Sequence, residues 1–534
     1  MIRTTLALLI LPVWVLAIDP YPRNPHIDVK HYHFQLALND STDRIQGEAT
    51  ITLFFRSGLK SVAFDLMSVN ADGKGMQVTH VTDDKGNALR FQHQDHRIKV
   101  DFAEEIAAGE TRALRIAYHG IPADGLIIGH NKFNERTFFG DNWPDRARHW
   151  LPGIDHPYDK AHIEFKVIAP EHYQVVATGK KIEETNLPHH QKLTHYREDA
   201  DVALKVATIG VARFAVQLSG EPANIPVTTW VYPQNRTEGF SDFAVAPRVL
   251  QFFQEYLAPF PYSKLAHVQS KTRYGGLENA GNIFYFENSV NGKNEREGLI
   301  AHETAHQWFG NSASENDWHH VWLSEGFATY LTAVYLENAY GEERLMKEMQ
   351  QDRMEVLAFY KRNQRPIIDT TITNINQVLS TNTYQKAGWV LHMLRNQVGS
   401  ATFRQILRAY YKEYAHANAT TADFQRISSA LSGQHLDNFF TQWLYRGGHP
   451  QLQVKWRYVP ARKEVLLDVL QVQAEPPFQF PLHIGIKTSA GQAVENVVIS
   501  NKKTNISIPC PEKPVEIVLD PYTVLLFEGT VMGK

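Results

Sequence analysis

The stretch "AHETAHQWFGN" (residues 301–311) constrains this chain more than any other. Positions i and i+4 of an α-helix share a face, so His302 and His306 can turn both imidazoles toward one ion. Glu303, offset to one side, then reaches a water on that ion and not the ion itself. Asn294 with Glu297 supplies a helix start, and Gly310-Asn311 a helix stop. A catalytic zinc site needs a third protein ligand and an open fourth position. Glu325 follows His306 with eighteen residues between them, in "WLSEGFATY" on the next predicted helix. Two antiparallel helices joined by a loop can bring that carboxylate to the imidazole pair. His319 and His320 are rival ligands, but neighbours in sequence point to different faces, so at most one of them could join.

Around this core the sequence pattern changes twice. From His26 to about Gly220 it is mostly period two, as in "HYHFQLALN" and "GEATITLFF", which predicts a β-rich domain. From about Ile225 helical spacing takes over. A helix ends before Pro259, a short strand covers 264–270, and helices are expected near 295–309 and 323–339, the latter stopped by Gly341, with more between 384 and 445. After "YRGGHP" (445–450) short alternating runs return, enough for a small β-sandwich. The expected fold class is multidomain α+β: an N-terminal β domain over 18–220, a mainly α zinc domain over 221–446 and a C-terminal β-sandwich over 447–534.

Residues 1–17 combine Arg3, a short apolar run interrupted by Pro12, and small-residue cleavage chemistry at Val15-Leu16-Ala17. This is the pattern of a secretory signal peptide cut after Ala17, too short to span a bilayer comfortably. Cys510 is the only cysteine, so no intrachain disulfide can form. Export without disulfides fits a periplasmic or secreted bacterial protein. Four glycosylation-type triplets, at Asn39, Asn235, Asn418 and Asn505, are then chance. A net charge of −3 gives no reason to expect nucleic acid as a partner.

A second stretch, "GGLENAG" (275–281), precedes the apolar run "NIFYF". A Gly-rich edge lets a substrate backbone approach closely or add as a strand, and Glu278 beside it can pair with a positive group. H-E-x-x-H with eighteen residues to a glutamate, preceded by G-x-x-E-N, resembles the aminopeptidase N family of zinc peptidases, which includes leukotriene A4 hydrolase. The likeness extends to "ARHWLPGIDHPYDKAHIEF" (147–165), "PFPYSKL" (259–265), "TYQKAGWVLHMLR" (383–395) and "FFTQWLYRGGHP", in the family's order, and covers most of residues 27–450.

The resemblance implies a saddle-like β domain, a thermolysin-like catalytic domain and one Zn2+ per chain held by His302, His306 and Glu325. It implies hydrolysis of the N-terminal peptide bond by attack of a zinc-bound water. Glu303 would be general base and then proton donor, Tyr384 would stabilise the oxyanion, and Glu278 would anchor the free α-ammonium group. Gly275, Gly276 and Asn279 would complete the substrate-binding segment, and the partners would be peptides with a free N-terminus.

Two departures stand out. The family places a second amine-binding Glu or Gln five residues before the arginine equivalent to Arg148; here that residue is Trp143, with Asp141, Asn142 or Asp145 as replacements. Many relatives also carry a large C-terminal helical domain, and this sequence resembles a short form without it. The alternatives are a thermolysin-type zinc endopeptidase, against which "GGLEN" and Tyr384 argue, and a catalytically silent binding protein on the same fold.

Overall fold

The computed structural model describes residues 19–533. The expected signal segment, 1–17, lies outside the described residues. The first strand, Ile27–Ala37, alternates buried and half-exposed positions as its period-two pattern requires, with one bulge between Val29 and His31. It sits at the centre of a seven-stranded sheet. Its antiparallel neighbour is Ile45–Phe55 and its parallel neighbour is Ala161–Pro170. A four-stranded and a three-stranded sheet complete this β-rich part.

A five-stranded mixed sheet opens the second part, in the order Ala215–Gly220, Val227–Val231, Leu265–Ser270, Asn282–Phe286, Gly276–Leu277. Its first strand pairs antiparallel with Val227–Val231, so this sheet begins at Ala215, a few residues before the expected boundary at 220. The last strand, Gly276–Leu277, is an edge: it pairs with Asn282–Phe286 on one side only.

Helices follow, and two of them carry the metal motif. The first ligand helix is Glu297–Ala305, shorter than the expected 295–309. Asn294 does not cap it. Asn294 has a left-handed backbone and sits in a loop whose amides, at Asn291, Gly292 and Asn294, all donate to Asp242. Arg296 takes the cap position, and Glu297 places an acid in the first turn, where the helix dipole favours it.

The second ligand helix, Trp322–Tyr340, is buried on nearly every side, with Trp322, Phe327, Tyr330, Leu331 and Tyr335 all inside. Side chains of that size stabilise by about 1.5–3 kcal/mol each on burial, so Glu325 rides on a rigid element. Gly341, at φ 92°, ends this helix and at once begins another, Glu342–Tyr360, which the sequence reading did not anticipate. Four further helices lie between 387 and 444.

Residues 451–533 form a four-stranded and a three-stranded sheet that share a core including Val454, Leu467, Leu482 and Ile486, the expected sandwich. No helix among the described residues is long and apolar enough to cross a membrane.

Candidate active site

His302 and His306 point together as the four-residue spacing requires, with their Nε2 atoms 3.1 Å apart. Glu325 Oε2 lies 3.5 Å from His302 Nε2 and 3.2 Å from His306 Nε2. A tetrahedral ion with ligands at about 2.0–2.1 Å sets its ligand atoms about 3.3 Å from one another. The triangle found here therefore has the size that zinc needs, and its donors, two imidazoles and a carboxylate, are zinc's usual ones.

The orientation of His306 is fixed from behind. Its Nδ1 lies 3.1 Å from the Phe309 carbonyl and 3.1 Å from Ser324 Oγ, which sets Nδ1 as the donor and leaves Nε2 free for the ion. Gly310, at φ 115°, makes this possible. A Cβ there would stand 2.2 Å from Ser324 Oγ and 3.0 Å from His306 Nδ1. His319 and His320 stay outside the cluster: His319 Nδ1 faces Asp317, and His320 Nδ1 lies 2.9 Å from Thr421 Oγ1.

Charge in the triad is strongly biased. Burial alone would lift the Glu325 carboxyl, but His306 and hydrogen bonds from both imidazoles hold it far below the usual carboxylate range. Burial pulls His306 down, and Glu325, Glu278 and Glu303 outweigh it, raising its pKa to about 9. A divalent ion here would displace that proton, so binding would release it.

The triad opens on a cavity of about 700 Å3. Glu303 and Glu278 both line it and both are almost wholly buried. Burial, partly countered by His306, pushes Glu303 well above the ordinary carboxylate range, and Glu278 and Glu325 add to the shift. Glu278 is raised mainly by burial, and its Oε1 has no hydrogen-bond partner. The carbonyl of the same residue accepts from Gln307 Nε2 at 2.9 Å and Asn311 Nδ2 at 2.5 Å, so the segment is held while the carboxylate is left free.

Gly276 and Gly275 lie on the cavity wall, and Gly276 leaves room for Glu303: a Cβ at 276 would meet its Oε1 at 2.2 Å. Asn279 is fully buried and is not among the cavity residues. Both of its side-chain polar atoms are unpartnered. Tyr384 belongs to a π-helical turn, Asn382–Lys386, that leads into a helix. Its ring lies nearly parallel to that of His302, with centroids 6.1 Å apart. Burial, followed by the Glu325, Glu278 and Glu303 carboxylates, raises the phenol far above 10, so it keeps its proton.

None of the proposed replacements for a second amine-binding residue lines the cavity. Asp141 accepts from Arg146, Thr272 and Arg273. Asn142 donates to the Leu204 and Ala207 carbonyls and accepts from Trp150. Asp145 faces Arg148 at 3.4 Å. Trp143 itself forms the wall, packed edge-on against Tyr274 and Trp318.

The sequence reading missed Leu299, Thr332, Gln351, Asp352 and Leu379, which also line the cavity. Gln351 and Asp352 come from the unanticipated helix Glu342–Tyr360. Its buried Leu345, Met349, Val356 and Tyr360 carry the periodic signal that would have found it. Burial, with Glu355 and Glu348 nearby, raises Asp352 to about 8.

Two packed helices that could present two imidazoles and a carboxylate to one ion, beside a sheet with an open edge, define the architecture of a mononuclear metal site. Comparison with known proteins makes this specific. The Peptidase M1 N-terminal domain matches residues 28–202, and the Peptidase family M1 domain matches residues 242–443. The chain belongs to peptidase family M1.

It is 23% identical over 458 residues to Aminopeptidase M1 of Arabidopsis thaliana, covering 81% of this chain and 52% of that protein. It is 24% identical over 357 residues to Glutamyl aminopeptidase of Rattus norvegicus, covering 63% and 37%. The chain thus spans about half the length, or less, of these curated relatives. An M1 zinc metallopeptidase from Deinococcus radiodurans shares the fold, with TM-score 0.67 and 24% identity over 80% of this chain and 95% of that one.

Proposed function

We propose that this protein is a zinc aminopeptidase that removes residues one at a time from the free N-terminus of peptides. The observation that carries this reading is Glu278: a buried carboxylate oxygen without a partner, in the same cavity as the metal triad. A free α-ammonium group satisfies it. An N-acetylated or internal peptide leaves it buried and unpaired, at a cost of several kcal/mol. That asymmetry also favours an aminopeptidase over a thermolysin-type endopeptidase.

Zinc held by His302, His306 and Glu325 would supply Lewis acidity, polarising the scissile carbonyl and making water more acidic. The protein's own groups do the rest. The edge strand Gly276–Leu277 offers unpaired backbone donors and acceptors to an extended substrate. Glu303, with its affinity for protons raised by burial, takes the proton from the attacking water and returns it to the leaving amine. Tyr384 keeps its phenolic proton and donates a hydrogen bond to the oxyanion.

The test is a mixed peptide and its N-acetylated twin, incubated with zinc-loaded protein and with Glu303→Gln, the products read by mass spectrometry. Stepwise loss from the free N-terminus, absent in the variant, is expected. Internal cleavage of both peptides would refute the reading. The N-terminal segment supports a further proposal, export to the periplasm or medium of a bacterium. Sequencing the purified protein should then find Ile18 first, and an intact Met1 would count against export with cleavage.

A further inference from the structure

Asn311 stands at a junction. It lies in the connection between the two ligand helices, it is fully buried, and its polar groups go three ways. Its backbone N–H donates to the carbonyl of His306 at 3.1 Å. Its side-chain Nδ2 donates to the carbonyl of Glu278 at 2.5 Å. Its own carbonyl accepts from Lys160 Nζ at 3.0 Å.

Lys160 belongs to the other part of the protein. It immediately precedes the strand Ala161–Pro170 of the seven-stranded β sheet. Its ammonium also donates to the Ser312 carbonyl at 2.5 Å and the Ala417 carbonyl at 2.9 Å, so all three donors are used on backbone oxygens. Among the described residues no carboxylate lies within ion-pair distance of it. Burial and the nearby Lys205 lower its pKa to about 7, against the opposing pull of Glu315 and Asp201. A desolvated ammonium without a counter-ion is costly to keep, and here its geometry is spent wholly on the connection that follows His306. Lys205 grips the same connection further on, through its buried ion pair with Glu315.

We propose that Lys160 is a positioning residue for substrate recognition: through Asn311 it sets Glu278 relative to His306, so the β domain controls ammonium binding without touching the substrate. The proposal rests on the reading of Glu278 as the ammonium anchor. Gln307 also holds the Glu278 carbonyl, but it comes from the zinc motif itself. Of the two side chains that hold the Glu278 carbonyl, Asn311 is the one that runs on to Lys160, while the backbone of Ala280 reaches the β domain separately, at the Val206 carbonyl 2.9 Å away. Loss of the Lys160 charge leaves the Asn311 carbonyl held only from within its own connection, by Ser314 Oγ at 2.9 Å, and a displacement of about 1 Å at an anchor of this kind is enough to cost two orders of magnitude.

A double-mutant cycle tests this. Wild type, Lys160→Met, Asn311→Ala and the double variant are compared by the ratio of kcat/KM for a peptide to that for its des-amino analogue. Zinc content and the rate of zinc release to a chelator are measured alongside. Each single variant is expected to lower the ratio about tenfold or more, mainly through KM for the free-amine peptide, with one zinc per chain retained. The double variant should be no worse than the more damaging single one, because both changes break the same link.

An unchanged ratio in Lys160→Met, with only a lower melting temperature, would overturn the proposal and leave Lys160 a stabilising residue. Additive losses would overturn it too, since they mean separate routes. Should Lys160→Met fail to fold, Asn311→Ala decides alone: it keeps the carbonyl that Lys160 binds and removes only the last link, so an unchanged ratio refutes the proposal. A wild-type ratio near one would instead refute the ammonium anchor, a separate failure.

Discussion

Replacing Gly276 by alanine puts a methyl carbon 2.2 Å from Oε1 of Glu303, 2.5 Å from its Cδ and 2.7 Å from its Cγ. Ordinary contact needs more than 3 Å, so the carboxylate must retreat by about 1 Å. It has little freedom to do so by small adjustments, because Glu303 is nearly wholly buried on a helix packed against the second ligand helix. A shift of that size in a proton-transfer group costs about 100-fold, or about 2.7 kcal/mol in the activation barrier. The loss should fall on kcat, since the three atoms nearest the new methyl group all belong to Glu303. The assay is steady-state hydrolysis of an aminoacyl anilide with zinc content measured on the same sample. Gly275→Ala is the control: a Cβ there meets nothing within 4 Å, so kcat should stay within about threefold of wild type. If Gly276→Ala also keeps kcat within that range while holding its zinc, the argument that this glycine makes room for the base is wrong.

Other outcomes follow from the same geometry. Glu278→Gln removes a buried charge partner, so kcat/KM for free-amine peptides should fall by about 30-fold or more, while that for a des-amino analogue, which has no ammonium to bind, is unaffected; equal losses on both would contradict the anchor role. Tyr384→Phe should lower kcat by about 10²–10³ with little change in KM, and a KM effect alone would point to ground-state binding instead. Burial lowers Lys264, against the pull of Glu198, to a pKa of about 7. The unfolded chain keeps that proton up to about 10.4, so the group destabilises the fold below pH 7 and the penalty fades as pH rises from 7 toward 10. Denaturant titrations of wild type against Lys264→Met should therefore show the difference moving in favour of wild type by up to about 1.4 kcal/mol per pH unit in that window. A difference that stays flat with pH would show that the lysine does not change protonation on folding.

The metal triad was legible because helical periodicity converts spacing directly into geometry: four residues put His302 beside His306, and a second helix was enough to place Glu325. The β–α–β order was equally open to reading, since strands and helices repeat their apolar residues with different periods. Helix ends were less so. Asn294 looks like a cap in sequence but is claimed by Asp242, a residue 52 positions earlier that no local rule connects to it. The helix Glu342–Tyr360 was hidden by its charge, since glutamates, arginines and glutamines fill its outer face and dilute the apolar stripe. The identity of the wall at Trp143, and the consumption of Asp141 and Asn142 by distant partners, depend on contacts between segments far apart in the chain. Local pattern carries no information about those.

The strand Gly276–Leu277 has a consequence for solubility. An unpaired sheet edge is the usual place for one folded molecule to recruit another into an aggregate, and proteins blunt such edges with charge, bulges or a covering loop. Here the edge strand is only two residues long, and both of them line the cavity instead of an open flank. A second folded copy would have to insert its own sheet edge into that recess, where a single loose chain end fits with far less obstruction. With this edge short and sunken, the sheet can leave backbone groups free for a passing peptide without offering a template for self-assembly there.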